Sequence, residues 1–212
     1  IAGAKDGMDV APCVLHERSN LGAEYLDSMR LAGLYAYAGR ELVVKHVVEK
    51  ILKAKITDSV HNHHNFAWKE KHGDQELWVV RKGATPAFPG QRGFVGGSMG
   101  DISVILKGVD SQKSRDALYS TVHGAGRLMS RTEAAGKVKW IFNPEKKKKV
   151  PTRVSEGKVN ETSMRQKIKN AGIELRGAGA DEAPQVYRPL KDVLEAHAGT
   201  IEIETTLTPK IV

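Results

Sequence analysis

The sequence predicts a mixed α+β fold in which small mixed sheets pack against helices. A long helical pattern dominates the first quarter of the chain, and short strand patterns follow it. Later helices and strands alternate without a strict βαβ rhythm, and no internal repeat is present. An α+β arrangement is therefore favoured over a doubly wound parallel sheet.

The longest helical pattern runs from about residue 22 to residue 54. Apolar residues recur there at spacings of three, four or seven, with Lys and Glu between them: Tyr25, Met29, Ala32, Ala36 and Val43. Gly33 and Gly39 interrupt this pattern, so one bent helix and two helices are both open.

Strands are predicted over residues 76–81 and 102–106, separated by a glycine-rich loop over 83–100. A helix is expected to begin near Arg127. Further helices are predicted over 163–171 and 190–197, and residues 200–207 alternate as a strand does.

The composition favours a polyanionic partner. Lys and Arg number 33 against 25 Asp and Glu, which gives a formal net charge of +8. Cys13 is the only cysteine, so an internal disulfide is excluded, and we interpret it as a packed thiol. Neither a long apolar run nor a signal-peptide pattern occurs, so a cytoplasmic location without a membrane span is expected.

The run His61-Asn62-His63-His64-Asn65 is the first candidate site. Neutral imidazole is a common ligand of divalent transition metals. Neighbouring side chains of a strand point in opposite directions, so one histidine is expected to be the ligand. A polar turn with surface histidines is the alternative.

Two glycine-containing segments form the second candidate. Arg81-Lys82-Gly83 ends a predicted strand, and Gly96-Gly97-Ser98-Met99-Gly100 precedes the next. Glycines allow close backbone approach and clustered N–H groups bind anions, while Arg and Lys can clamp phosphates. A glycine-rich turn beside a salt bridge is the alternative.

The third candidate is the segment 120–131, in which His123 precedes Gly124-Ala125-Gly126. A helix that began near Arg127 would place Arg127 and Arg131 on one face and direct its free amides at the loop. His123 would then be a nucleophile beside an oxyanion site. A structural or hydrogen-bonding histidine is the alternative.

The four lysines 146–149 precede Pro151. Such a charge run is typical of a solvated loop or linker, and phosphate contact is the alternative.

These motifs, in this order and spacing, resemble the RtcB family of GTP-dependent tRNA-splicing RNA ligases. The matching segments are His-Asn-His-His-Asn, Arg-Lys-Gly-Ala, Gly-Gly-Ser-Met-Gly and His-Gly-Ala-Gly-Arg-x-x-Ser-Arg, together with Asp181-Glu182-Ala183-Pro184 and Tyr187. The resemblance implies an RtcB-like α+β fold and an enzyme that joins RNA 3′-phosphate or 2′,3′-cyclic phosphate ends to 5′-hydroxyl ends, using GTP and Mn²⁺, in tRNA splicing or RNA repair.

The resemblance also implies roles for individual residues. His123 matches the nucleophile that forms a covalent guanylate, and His64 matches a manganese ligand. The positions that match nucleotide contacts are Asn65, Gly96, Gly97, Ser98, Met99, Ser103, Gly124, Ala125 and Gly126. The positions that suit RNA or phosphate oxygens are Arg81, Lys82, Arg127 and Arg131. RNA and an archease-like activator are the partners that the resemblance implies.

Three upstream segments of the family carry its other metal ligands, and none of them occurs in these 212 residues. We therefore expect residues 1–212 to form the C-terminal portion of a single RtcB-like catalytic domain, with the N-terminal part of the fold absent. One histidine cannot hold manganese tightly, so the chain by itself is predicted not to be a competent ligase. A second chain that supplies the missing half would be a further partner.

Two other classes of function remain open. The chain could be a noncatalytic RNA- or nucleotide-binding remnant of such an enzyme. It could also be a metal hydrolase built on the histidines of residues 61–64, although no carboxylate-rich ligand segment lies near them.

Overall fold

The computed structural model describes residues 14–212, which divide into two compact units with the boundary between Ser59 and Val60. Cys13 lies outside the described residues. Helices and several small sheets are mixed along the chain, as the α+β prediction requires. Over residues 14–212 no helix combines the length and apolarity that crossing a bilayer requires.

The first unit contains one long helix, α1 (Asn20–Lys45), which continues as a π-helix over His46–Ile51. The Ser19 side chain accepts a hydrogen bond from the Gly22 backbone N–H and so caps the first turn. The long helix predicted for this region is confirmed. It runs through Gly33 and Gly39 without a break.

The second unit holds nine strands and four short α-helices among the described residues. The strands are β1 (Asn65–His72), β2 (Gln75–Lys82), β3 (Ala84–Pro86), β4 (Arg92–Val95), β5 (Ser103–Gly108), β6 (Ser120–Val122), β7 (Lys137–Asn143), β8 (Lys148–Ser155) and β9 (Ile201–Leu207). The helices are α2 (Gln112–Asp116), α3 (Arg131–Ala135), α4 (Glu161–Asn170) and α5 (Leu190–Ala196), with 3-10 turns at Ala180–Glu182 and Pro184–Val186.

The strands form four separate small sheets. β1 pairs with β2, β3 with β6 and β7 with β8, and β4-β5-β9 make a three-stranded sheet; all of these pairs are antiparallel. The predicted strands over 76–81, 102–106 and 200–207 are confirmed as β2, β5 and β9. The predicted helices over 163–171 and 190–197 are confirmed as α4 and α5.

The helix expected to begin near Arg127 is displaced toward the C-terminus. α3 begins at Arg131 and has five residues. Ser130 accepts a hydrogen bond from the Glu133 backbone N–H at 3.1 Å, and this Ser-x-x-Glu spacing marks the true start of the helix. Gly126 has a φ of +77°, which ends any helical path before Arg127. The helix therefore does not begin directly after the His123 loop, and the predicted start near Arg127 is wrong.

Two hydrophobic clusters form the core of the second unit. One packs the β4-β5-β9 sheet against α5 and contains Val95, Val104, Leu106, Leu190 and Leu194. The other surrounds α4 and contains Met99, Met164, Ile168, Ile173 and Val186. The glycine-rich loop contributes Met99 to the second cluster, while Val95 and Val104, on either side of the loop in sequence, belong to the first.

We predict that Leu106→Ala lowers the free energy of unfolding by about 2–5 kcal/mol, because it leaves a cavity at a side chain with no exposed area. Leu207→Ala is the matched control on the same sheet, where the side chain is 41% exposed, and should cost less than about 1 kcal/mol. Urea denaturation followed by tryptophan fluorescence measures both. Equal losses would contradict this account of the core.

Candidate active site

Two of the predicted site histidines lie face to face. The rings of His64 and His123 are 4.8 Å apart between centroids and inclined by 17°. They come from positions far apart in the sequence, so the fold itself creates the pair. His61 and His63 are not part of this stack; the His63 ring instead packs on Phe66, with centroids 5.3 Å apart. Of the histidine run, His64 is thus the member that reaches His123.

The backbone between β2 and β3 holds both histidines. His64 immediately precedes β1, and its carbonyl accepts a hydrogen bond from the Gly83 N–H at 2.9 Å. His123 immediately follows β6, whose Val122 pairs with Ala84 of β3. Gly83 has a φ of +73°, and a Cβ there would lie 3.7 Å from the His123 ring. The Arg-Lys-Gly-Ala segment therefore contacts the backbone next to both histidines and fixes their relative position.

The glycine-rich loop before β5 joins the His123 loop through backbone bonds. The Gly96 N–H donates to the His123 carbonyl at 3.4 Å, and the Ala125 N–H donates to the Gly96 carbonyl at 3.2 Å. A Cβ on Gly97 would lie 2.0 Å from the Ile102 carbonyl oxygen, so only glycine fits. Two segments that the sequence predicted to share one site are thus in direct contact.

The imidazole of His123 favours its neutral form. Partial burial, and then the charge of the neighbouring His64, lower the pKa of His123 below the ordinary value of 6.5. A neutral imidazole has a free lone pair on one ring nitrogen. The arrangement therefore suits a nucleophile or a metal ligand at neutral pH better than a cationic clamp.

The side chain of Arg81 is buried, so it cannot make the contact with RNA that the sequence predicts. Its side chain is 1% exposed and ion-pairs with Glu70 of β1, with Nη1 2.7 Å from Oε1 and Nη2 2.9 Å from Oε2. Its Nε donates to the Ser120 hydroxyl and its Nη2 to the Leu118 carbonyl, both at 2.8 Å. Arg81 consequently ties β1 and β2 to the segment that leads into His123.

Glu70 is the missed partner in this network. It also contacts His72, with Nε2 and Oε2 2.9 Å apart. Burial alone would raise its pKa, but the hydrogen bonds and charges of Arg81 and His72 outweigh burial and lower it. The two aromatic residues at alternate positions, Phe66 and Trp68, were the available signal for β1.

The three other predicted phosphate-binding cations differ in exposure. Lys82 is exposed at the end of β2. Arg131 is also exposed, at 72% of its side chain, although it pairs with Glu182 at 2.7 Å. Arg127 is half-buried and donates to Glu182, to the Tyr187 hydroxyl and to the Asp181 carbonyl. Only Lys82 and Arg131 therefore present their charge to solvent.

The remaining predicted nucleotide contacts differ in how far they are exposed to solvent. Asn65 is exposed at the start of β1, and Gly126 is exposed in the His123 loop. Ser98 is half-buried, and the Ser103 hydroxyl accepts a hydrogen bond from the Gly97 N–H at 3.3 Å. Met99 is buried in the core around α4, so its side chain is not available to a ligand.

Asp101 is a residue that the sequence reasoning missed. Its carboxylate accepts one hydrogen bond from the Ile102 N–H and one from the Leu190 N–H, each at 2.8 Å. It therefore fastens the glycine-rich loop to the first turn of α5. An Asp directly after a glycine-rich run was the available signal, since short carboxylates commonly bind backbone N–H groups nearby.

The manganese that the resemblance implies is not accommodated by the described residues alone. Across residues 14–212 no three His, Cys, Asp or Glu side chains come together as a ligand set. His64 offers one imidazole to such a site, and transition-metal sites need several protein ligands.

Comparison of the sequence with known proteins identifies its family. The sequence profile of one family, described as tRNA-splicing ligase RtcB, matches residues 8–212. The chain therefore belongs to the RtcB family.

Individual relatives show the same relationship. The RNA-splicing ligase RtcB of Escherichia coli K12 is 31% identical over 194 residues, which cover 87% of this chain and 42% of that protein. The tRNA-splicing ligase RtcB of Thermococcus kodakarensis is 30% identical over 223 residues, covering 91% and 42%. The Pyrococcus horikoshii protein of the same name is 28% identical, covering 91% and 23%. This chain thus spans less than half the length of these relatives.

We predict that Arg81→Met lowers the free energy of unfolding by about 3–5 kcal/mol, because it strands the Glu70 carboxylate in the interior. The control is Arg165→Met in the exposed pair with Glu161 on α4, which should cost about 0–1 kcal/mol. The pKa of Glu70 is lowered in the folded state. Its contribution to the free energy of unfolding is therefore present at pH values above the ordinary carboxyl pKa, and it is lost as the pH falls through the lowered pKa. Urea denaturation at pH 7 and at acid pH measures both effects; a pH-independent loss would contradict them.

We predict that His64→Asn raises the pKa of His123 but leaves it below 6.5, because burial, the larger cause, remains. The wild-type shift stabilises the fold above pH 6.5, and this stabilisation is lost as the pH falls through the lowered value. NMR titration of the His123 Cε1–H resonance measures the change. His197→Asn is the control and should not move it; an unchanged pKa in His64→Asn would contradict the pairing.

Proposed function

We propose that this chain supplies the nucleophilic half of an RNA ligase that joins RNA 3′-phosphate or 2′,3′-cyclic phosphate ends to 5′-hydroxyl ends. The observation that carries the proposal is the His64–His123 pair. Backbone hydrogen bonds to Gly83 and Gly96 hold the two residues, and the lowered pKa of His123 favours its neutral imidazole. The names of the relatives support the reaction class.

His123 would act as the acceptor of a guanylyl group. A ring nitrogen attacks the α-phosphorus of GTP, the new bond is P–N, and the α–β P–O bond breaks to release pyrophosphate. Where the RNA end is a 2′,3′-cyclic phosphate, water first breaks the P–O2′ bond and leaves a 3′-phosphate and a 2′-hydroxyl. The guanylate then passes to the RNA 3′-phosphate, which frees the His123 nitrogen again. Attack by the RNA 5′-hydroxyl finally expels GMP and forms the phosphodiester bond.

The backbone around His123 suits an anionic group. The segments Gly96–Gly97 and Gly124–Gly126 lie against each other and carry few side chains, so a phosphate can approach the main chain closely. Lys82 and Arg131 are the exposed cations that we assign to phosphate oxygens. Arg81 has no such role, because its side chain is buried and paired with Glu70.

We propose further that Mn²⁺ is held by His64 together with ligands outside residues 14–212. This accounts for the lack of a three-ligand group in the described part of the chain. Such ligands can belong to the same natural polypeptide or to a second one. Residues 1–212 in isolation are then expected to be inactive.

The test compares residues 1–212 in isolation with the natural polypeptide or complex that contains them. Each sample is incubated with GTP labelled at the α-phosphate and with MnCl₂. We predict an acid-labile label on His123 in the natural assembly only, and its loss in His123→Gln but not in His197→Gln. Strong labelling of the isolated chain would overturn the incomplete-site proposal.

Ligation of a labelled RNA with 3′-phosphate and 5′-hydroxyl ends tests the function itself. Labelling without ligation would limit the proposal to guanylyl transfer. RNA binding without any labelling in the natural assembly would identify the chain as part of a noncatalytic RNA-binding protein, which is the second candidate function.

A further inference from the structure

The β7–β8 hairpin is exposed on both of its faces. Within its two strands only Asn143 and Val150 are half-buried, and every other residue is exposed. Trp140 is 67% exposed and Phe142 59%. Two-stranded hairpins with no packed face are marginal in water, and clustered exposed aromatic residues commonly mark a binding surface. This feature is not used by the proposed chemistry at His123.

The aromatic residues of the hairpin share one face. Trp140 lies opposite Pro151 and Phe142 opposite Lys149, and alternate residues of a strand point the same way. The two rings are therefore about 7 Å apart along β7, at two residues of strand rise. This is roughly twice the 3.4 Å spacing of stacked bases. Only an extended, unstacked strand could place successive bases on both rings.

Positive charge surrounds these rings. Residues 137–155 contain seven Lys or Arg and a single acidic residue, Glu145. An open cleft beside Trp140 is lined by Lys146, Lys148, Lys149, Val150 and Pro151. Within the described part of the chain none of the ammonium groups of lysines 146–149 is paired with a carboxylate. The charge is thus available to an external polyanion.

We propose that the β7–β8 hairpin binds a single-stranded segment of RNA. Bases stack on Trp140 and Phe142, and Lys149 lies on the same face as these rings. Lys146 and Lys148 line the same open cleft beside Trp140, so all three lysines can contact the phosphates of one strand. The choice of RNA as the polyanion rests on the proposed ligase function, whereas the stacking and charge arguments rest on the hairpin alone.

An anionic membrane fits this hairpin less well than RNA does. The tip of the hairpin, residues 144–147, is Pro-Glu-Lys-Lys, while the aromatic side chains lie farther back along β7. Entry of the tip into a bilayer would bury charges before it buried the rings. A nucleic acid strand can instead lie along the aromatic face and keep every lysine in water.

The experiment measures fluorescence anisotropy of a labelled single-stranded RNA with the full chain, without GTP. A second RNA of equal length contains abasic sugars, so that it keeps its phosphates and lacks its bases. Trp140→Ala is compared with Trp78→Ala, a 39% exposed tryptophan on β2. Lys148→Gln/Lys149→Gln is compared with Lys167→Gln/Lys169→Gln, two exposed lysines on α4.

We expect Trp140→Ala to weaken binding of the base-bearing RNA roughly 5- to 100-fold and to leave abasic RNA unaffected. The Lys148/Lys149 variant should weaken binding of both RNAs and lower the slope of log affinity against log salt by about 1.4, since each single-strand phosphate contact contributes about 0.7. The control variants should match the wild type. A comparison of the wild-type affinities for the base-bearing and the abasic RNA tests base stacking without any substitution in the protein.

Three results would overturn the proposal: equal affinity of the wild type for both RNAs, equal effects of Trp140→Ala and Trp78→Ala, or unchanged RNA binding in the Lys148/Lys149 variant. The proposal would also be overturned if the hairpin variants kept their RNA binding and lost binding to phosphatidylserine vesicles or to another protein chain. The hairpin would then be assigned to that partner. The binding assay contains no GTP. The result is therefore independent of whether guanylyl transfer occurs.

Discussion

The ion pair between Arg81 and Glu70 is the interaction on which the candidate site depends. The guanidinium group lies in the interior and joins three strands, because it binds the carboxylate of β1, belongs to β2 itself, and donates to the segment that begins β6. Its plane also lies over the Trp68 ring, 5.1 Å from the ring centroid. His64 precedes the first of these strands and His123 follows the last. A displacement of Arg81 would therefore move both imidazoles of the pair relative to each other.

Guanylyl transfer at His123 and the binding of a polyanion require different numbers of positive charges, and different residues of this chain serve the two purposes. Next to His123 the cations are few or are balanced by carboxylates, as Arg127 and Arg131 are by Glu182. A strongly positive surrounding would favour release of a proton from the imidazole but would also hold a phosphate product tightly. The lysines of the β7–β8 hairpin are not among the groups that shift the pKa of His123, which are burial and His64. It can retain a polyanion without altering the protonation of the nucleophile.

Much of the fold was predictable because its signals are local. α1 and β2 follow from the spacing of apolar residues, and the resemblance singled out His64 and His123 from short motifs. The errors concern interactions between distant residues. No residue close to Arg81 in the sequence indicates that Glu70 pairs with it. The buried guanidinium of Arg81 is therefore predicted, wrongly, to bind phosphate. The β7–β8 hairpin was missed because its strands lack an alternation of buried and exposed positions.

The way in which Gly83 joins the two histidines has a consequence for the order of folding. The β1–β2 hairpin closes a short loop and can form early, which positions His64 against the Gly83 N–H. The pairing of Ala84 with Val122 must wait until the intervening chain, which includes β4, β5 and α2, has folded back. The imidazole pair is thus completed late, and a polypeptide still emerging from the ribosome would carry the first histidine without its reactive neighbour.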